Sequence, residues 1–296
     1  MSYPLGPSPG GASSSELPSA PLDVAIVGAG RVGCSIGRAL LARGHRVVAV
    51  SVANQDSARR VLDVLGHVAI VEPQDAPLEA TVVVIAVPDD ALAGTAADVA
   101  SGLREGAVVV HTSGIHGTDV LAPCGENVAA IHPAQTIPEP TTELEGVYFG
   151  VTAPEQLKEW AAWFVGELGG IPVEVPEEQR VLYHAALSMA SNFTVALAAD
   201  AADLLQNRAA LEPLLRQTIE NVIRLGGDAA LTGPVVRGDA GTVRAHIAAL
   251  SADAPHLLES YVGNARRALD RAVKAGRLEP SRARVVEDAL AEALVR

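Results

Sequence analysis

Val24-Ala25-Ile26-Val27, apolar and mostly β-branched, runs straight into Gly28-Ala29-Gly30-Arg31-Val32-Gly33. A helix-like segment then continues through Leu40 and Leu41 to a stop at Gly44. The pattern predicts a strand, a tight glycine turn and a helix. Gly28 would make the turn, Gly30 would let a pyrophosphate approach the backbone, and Gly33 would let the helix pack closely on the strand. Arg31 and Val32 open that helix, whose free N–H groups and positive dipole end would face the phosphates. A bare G-x-G-x-x-G arises often by chance. Here the strand before it, the helix after it and a second strand, Arg46-Val47-Val48-Ala49-Val50, supply the context that marks dinucleotide binding.

The end of that second strand bears on which dinucleotide fits. An Asp or Glu about 20 residues beyond the glycines usually holds the ribose 2′-hydroxyl of NAD. This chain has Ser51-Val52-Ala53-Asn54-Gln55 there, with no acid before Asp56 and with Ser57, Arg59, Arg60 and Arg31 nearby. Ser51, Asn54 and the arginines favour a 2′-phosphate, and hence NADP(H) over NAD(H). The plainer alternative is that the arginines are solvated helix-surface charge.

The chain has 296 residues, enough for two domains. Residues 1 to about 20 are rich in Pro, Gly and Ser, lack the basic and apolar regions of a secretory signal and contain no Arg, so a disordered tail is expected there. No continuous apolar run approaches the roughly 18 to 20 residues of a membrane span. A formal charge of −13 disfavours nucleic acid and anionic membrane surfaces as partners. Cys34 and Cys124 have neither metal-ligand spacing nor a disulfide framework around them. These features predict a soluble, cytoplasmic protein without a metal centre.

Between residues 21 and 176, apolar runs alternate with helical stretches. Strands are expected at 23–27, 46–50, 81–87, 107–111, 128–131, 148–152 and 171–175, with helices at 91–103 and 154–168. Most strands are continuously apolar, as in parallel sheets covered on both faces. The fold class is α/β, a Rossmann doubly wound parallel sheet. From residue 177 to 296 the strand signals stop, and Ala- and Leu-rich helices are expected at 177–205, 209–225, 242–249, 254–275 and 280–294. This all-helical domain would bind substrate and pair two copies of the chain, since its apolar faces would otherwise stay open.

The expected carboxyl edge of the sheet collects polar motifs. Val87-Pro88-Asp89-Asp90 follows one strand, His111-Thr112-Ser113-Gly114 another, and His132-Pro133-Ala134-Gln135 a third. With the glycine fingerprint they resemble the Rossmann half of the 6-phosphogluconate-dehydrogenase-like reductases. Tyr183-His184-Ala185-Ala186 with Ser191-Asn192, and the stretch from Leu231 to Asp239, closely resemble a family of Rossmann-like proteins carrying the domain of unknown function 2520. The resemblance implies a nicotinamide cofactor contacted by Gly28, Gly30, Arg31, Val32, Gly33, Ser51, Asn54, Val87, Pro88 and Ser113.

More distant relatives imply chemistry. Ketopantoate reductases carry a catalytic Lys on the first long helix of their C-terminal domain, with Asn four and eight positions on. His184, Ser188 and Asn192 occupy the similar i, i+4, i+8 places, with His for the Lys and Ser for the first Asn. His184 could donate a proton to an alkoxide forming at a carbonyl. The His132-Pro133 pair resembles that of prephenate dehydrogenases, where the histidine contacts the substrate hydroxyl. Arg237 would recognise a carboxylate and Asp239 would orient it, unless Arg237-Gly238-Asp239 is a plain surface turn.

These residues together predict an NADP(H)-dependent oxidoreductase acting on a small anionic carbonyl or imine acid, a ketopantoate-like 2-oxo acid first, in a cleft between two domains. Proline-forming imine reductases and prephenate-like dehydrogenases are the neighbouring possibilities. The absent Lys favours a rival, a catalytically silent nucleotide sensor. A homodimer through the C-terminal helices is expected.

Overall fold

The computed structural model describes residues 17–18 and 21–293. Apart from Leu17 and Pro18, the tail expected over residues 1–20 lies outside the described residues. Two compact units divide the chain, one running to Ser191 and the other from Asn192.

The strands are β1 (Asp23–Val27), β2 (Arg46–Ser51), β3 (Ala69–Ile70), β4 (Val82–Ile85), β5 (Val108–His111), β6 (Val128–Pro133), β7 (Tyr148–Thr152) and β8 (Ile171–Glu174). The helices of the first unit are α1 (Arg31–Ala42), α2 (Gln55–Leu65), α3 (Asp89–Ala100), α4 (Lys158–Glu167) and α5 (Arg180–Ala190). The sheet order is β3-β2-β1-β4-β5-β6-β7-β8. From β1 the chain builds outward to β3, then returns to continue on the other side from β4, so the β1/β4 junction is the switch point at which open α/β sheets bind ligands. All pairings are parallel except β6 with β7. The fully parallel sheet expected from the apolar runs is corrected there, because the chain between β6 and β7 forms no crossover helix that would restore a parallel direction.

Both faces of the sheet are covered. Val24, Ile26, Val82 and Val84 join one core cluster with Leu40 of α1 and Phe164 of α4. Their neighbours Ala25, Val27, Val83 and Ile85 join another with Leu92 and Val99 of α3. Alternation of side chains along a strand sends successive residues to opposite faces, so an unbroken apolar run suits a sheet between two helical layers.

The second unit comprises α6 (Asn192–Leu205), α7 (Arg208–Leu225), α8 (Gly227–Ala230), α9 (Pro234–Arg237), α10 (Ala240–Asp253), α11 (Leu258–Lys274) and α12 (Pro280–Glu292). Its core is built by α9 to α12, with Val243, Val262, Ala272 and Val286 fully or almost fully buried. In contrast, α6 buries no residue and α7 buries only Leu211. Phe193, Val195, Leu204, Leu214 and Ile223 are exposed.

The helix expected over 177–205 is interrupted at Ser191, where the backbone reaches ψ −75° and the amide bonds Leu187 O. Its first half stays with the sheet, so the units divide fifteen residues beyond the expected boundary at 176. Taken as one stretch, Glu177–Leu205 has mean hydropathy 1.3 over its most apolar window, with none of that window buried. By length and composition alone it could cross a membrane, although no continuous apolar run in it reaches that length. The difference arises because the helix joins several short apolar runs. Its first turns also carry Arg180, Tyr183 and His184, which bind the sheet.

Candidate functional site

The nucleotide loop has the steric form the sequence called for. Gly28 adopts φ +87°, and a Cβ there would meet Val87 Cγ1 at 2.7 Å and the Ala86 carbonyl oxygen at 2.8 Å. A Cβ at Gly33 would lie 2.7 Å from Gly28 O, so only glycine lets α1 sit this close to its own turn. Around Gly30 the nearest atom to such a Cβ is 3.9 Å away, which leaves the approach to the backbone open. The first amide of α1 to find a helical acceptor is Cys34, on Gly30 O at 3.0 Å, so the N–H groups of Arg31, Val32 and Gly33 remain for an anion. Pro88 starts α3 at the same edge. The loop therefore fits a pyrophosphate.

At the end of β2, Ser51 is buried and its carbonyl accepts the amides of Gly28 and Ala29 at 3.1 and 2.9 Å. Asn54 caps α2, its side-chain oxygen accepting the Ser57 amide at 2.9 Å. Its amide nitrogen is the part left for a cofactor. Asp56, the first acid after β2, is exposed and lies 3.7 Å from Arg59. Arg60 donates to Ser57 Oγ at 3.3 Å.

The second element of the site comes from α5 docking on the carboxyl ends of β5 and β6 and on β7. Glu177 accepts from the Thr118 amide at 3.0 Å and from its hydroxyl at 3.3 Å. One turn on, Arg180 is fully buried; it donates to Ser113 O at 2.6 Å and to Thr152 Oγ1 at 2.8 Å. A further turn brings Tyr183, whose hydroxyl lies 3.1 Å from His132 Nδ1. His184 meets the same ring edge-on, with centroids 5.7 Å apart. This three-to-four spacing puts all four side chains on one helix face. Gly114 makes room for it, since a Cβ there would lie 2.3 Å from His184 Cδ2 and 3.0 Å from His132 Nε2.

Burial, then the neighbouring His184 and Arg180, push the pKa of His132 down to about 4. Burial does the same to His111, also to about 4. Both rings are neutral at pH 7. His111 is structural, accepting the Ser113 amide at Nδ1 and holding Gly117 O from Nε2 at 3.1 and 2.8 Å. His132 differs in having one open nitrogen. Among the described residues Arg180 Nε is the only buried side-chain N or O atom without a partner, so His132 Nε2, which bonds nothing in the protein, reaches solvent. The same holds for both nitrogens of His184 and the Ser188 hydroxyl. Two imidazoles thus open side by side at the sheet's carboxyl edge, a pair suited to hydrogen-bonding a polar substrate atom.

Other expected site residues have different roles or places. The Ser113 hydroxyl accepts the Ile115 and His116 amides at 3.3 and 3.2 Å, so it shapes the loop. Asn192 is exposed and begins α6, past the interruption. Asp239 caps α10, and both its oxygens are taken by Thr242, at 3.0 Å from the amide and 2.7 Å from the hydroxyl. Those bonds lower its pKa, as does the neighbouring Arg237 guanidinium. Arg237 is exposed at the end of α9. Tyr183, Gly114 and Arg180 enter the site without having been singled out for roles in it. Tyr183 stood beside His184 in the motif, and the i, i+3 spacing back to Arg180 was the signal available.

Glycine loop, switch point and helical second unit define a Rossmann-type dinucleotide-binding protein. Residues 8–133 match a Rossmann-like domain, and residues 147–268 match the domain of unknown function 2520. The chain belongs to the Rossmann-like proteins that carry this C-terminal domain. No curated protein matches it. Among solved structures it is similar to a proposed NADP oxidoreductase of Bacteroides fragilis, 24% identical over 84% of this chain and 98% of that one, with a TM-score of 0.74. A pyrroline-5-carboxylate reductase of Coxiella burnetii is 18% identical over 92% and 97%, with a TM-score of 0.52. A prephenate dehydrogenase of A. aeolicus, solved with hydroxyphenyl propionate and NAD+, is 20% identical over 63% and 70%, with a TM-score of 0.52. At these identities the likeness is one of fold.

The lowered histidines set a pH dependence. An unfolded histidine takes its proton near pH 6.5, whereas His111 and His132 resist it until about pH 4. Between those limits the unfolded state binds more protons. Stability is therefore complete above pH 6.5 and falls with acidification, by about 1.4 kcal/mol per pH unit for each ring. Denaturant unfolding between pH 7 and 4.5 should show a shallower decline in His132→Gln than in the parent. Equal slopes would contradict the assignment.

Proposed function

We propose that the protein is an NADP(H)-dependent oxidoreductase of a small carbonyl or imine acid, with a ketopantoate-like 2-oxo acid as the first candidate. The observation that carries this is the meeting of two solvent-reaching imidazoles, His132 and His184, on the same sheet edge as the open glycine loop. The bound cofactor would supply or accept the hydride at its nicotinamide C4. The amides of Arg31, Val32 and Gly33 would hold the pyrophosphate, with Val87 and Pro88 lining the loop. Arg31, Arg59, Arg60 and the Asn54 amide, with no acid before Asp56, favour the 2′-phosphate.

At the substrate, His132 Nε2 and His184 would hydrogen-bond the carbonyl oxygen or imine nitrogen and stabilise its developing charge. Ser188, half-buried one turn beyond His184, would hold a water or substrate group beside it. The names of the similar structures agree with this class, an NADP oxidoreductase, an imine-acid reductase and a dehydrogenase among them.

The apolar residues Val181, Leu182, Met189, Phe193, Val195 and Leu197 are exposed along α5 and α6. A second copy of the chain is the proposed cover for them. Sedimentation should give twice the mass of one chain, and Phe193→Glu should shift it toward one. A monomer in the parent protein would contradict pairing.

Thermal unfolding with NADPH, NADH or neither tests the cofactor, because a ligand of the native state raises its stability. NADPH should raise the midpoint more than NADH. Turnover should then appear with a 2-oxo acid or a cyclic imine acid. His184→Ala should lower kcat by about 10²-fold or more while keeping the NADPH shift. A shift without turnover on any such acid would favour the nucleotide sensor. No shift with either cofactor would contradict the proposal.

A further inference from the structure

A neutral imidazole has two tautomers with opposite chemistry. With the proton on Nε2, the open nitrogen of His132 would donate to a carbonyl oxygen; with the proton on Nδ1, it would only accept. The contact that decides is Tyr183 OH to His132 Nδ1, at 3.1 Å. A phenol is a stronger donor than acceptor, since its lone pairs delocalise into the ring, and a bare imidazole nitrogen is a stronger acceptor than an imidazole N–H is a donor. The pair therefore favours O–H to Nδ1.

The surroundings push the same way. Tyr183 lies on the bare backbone of Gly150, where a Cβ would be 2.6 Å from the phenol oxygen. The Arg180 guanidinium and the Gly150 amide beside that oxygen favour loss of the phenol's proton. Burial nevertheless keeps the phenol protonated, raising its pKa above the ordinary value. The hydroxyl hydrogen is present at neutral pH to be donated. The two rings stand perpendicular, with an interplanar angle of 88°, and Nδ1 meets the hydroxyl at 3.1 Å.

We propose that Tyr183 is a positioning residue that fixes His132 as the Nε2–H tautomer, making the open Nε2 a hydrogen-bond donor to the substrate's carbonyl oxygen. The use of that donor rests on the oxidoreductase function; the tautomer does not. His132 then polarises the carbonyl as a neutral imidazole and keeps its proton, a role suited to a ring that stays uncharged at pH 7. His184 is left as the group that transfers a proton.

Nitrogen-15 NMR of protein labelled at histidine reads the tautomer directly, with His132 assigned by the signals lost in His132→Gln. At pH 7 the parent should show a bare Nδ1 and a protonated Nε2. In Tyr183→Phe the ratio should move about tenfold toward Nδ1–H, the worth of one net hydrogen bond, and kcat should fall in proportion to the Nε2–H fraction that remains, with the NADPH stabilisation unchanged. A protonated Nδ1 in the parent would overturn the proposal without any variant. So would an unaltered His132 spectrum in Tyr183→Phe. The expected spectra without turnover would leave the tautomer standing and count against the oxidoreductase.

Discussion

A buried guanidinium that hydrogen-bonds no carboxylate among the described residues holds the site together. Arg180 has no exposed surface, and its hydrogen bonds run to a backbone carbonyl, Ser113 O, and a hydroxyl, Thr152 Oγ1. Desolvating a charge is costly unless it is compensated, so the position of α5 depends on these bonds being made. They tie the loop after β5 to the end of β7 and fix both to the helix that carries Tyr183 and His184. Arg180 also contributes to keeping His111 and His132 uncharged. One side chain thus fixes the helix that carries His184 and adds to the burial that keeps His111 and His132 uncharged.

The nucleotide half of the site was legible in the sequence because its constraints are local. Gly28, Gly30 and Gly33 act within one turn, and strand, turn and helix follow one another along the chain. Short-range signals failed where the pairing partner was distant. Ala69–Ile70 is too short to stand out as a strand, and the Gln55–Leu65 helix buries only Val61, so neither was expected. The reversed direction of Tyr148–Thr152 follows from how the chain returns after β6, which an apolar run does not encode.

The second half was legible only in part. His132 and His184 stand in recognisable motifs, and the fold brings their rings together. Gly114 and Tyr183 act through contacts between segments far apart in the sequence, so no spacing rule could show that one makes room for an imidazole and the other meets its nitrogen. Asp239 reads two ways in the sequence. An acid beside an Arg suggests orientation of that Arg, yet Asp three residues before Thr242 at a helix start is also a capping arrangement, and its oxygens are engaged there.

The glycine loop and the imidazole pair arise from different segments, and the account requires that they serve one reaction. A nuclear Overhauser measurement on protein saturated with NADPH tests this directly, by asking which side-chain protons lie near the nicotinamide C4 hydrogens. Cross-peaks to the imidazole protons of His132 or His184 are expected. NADPH that binds tightly while its C4 hydrogens contact neither ring would contradict the account.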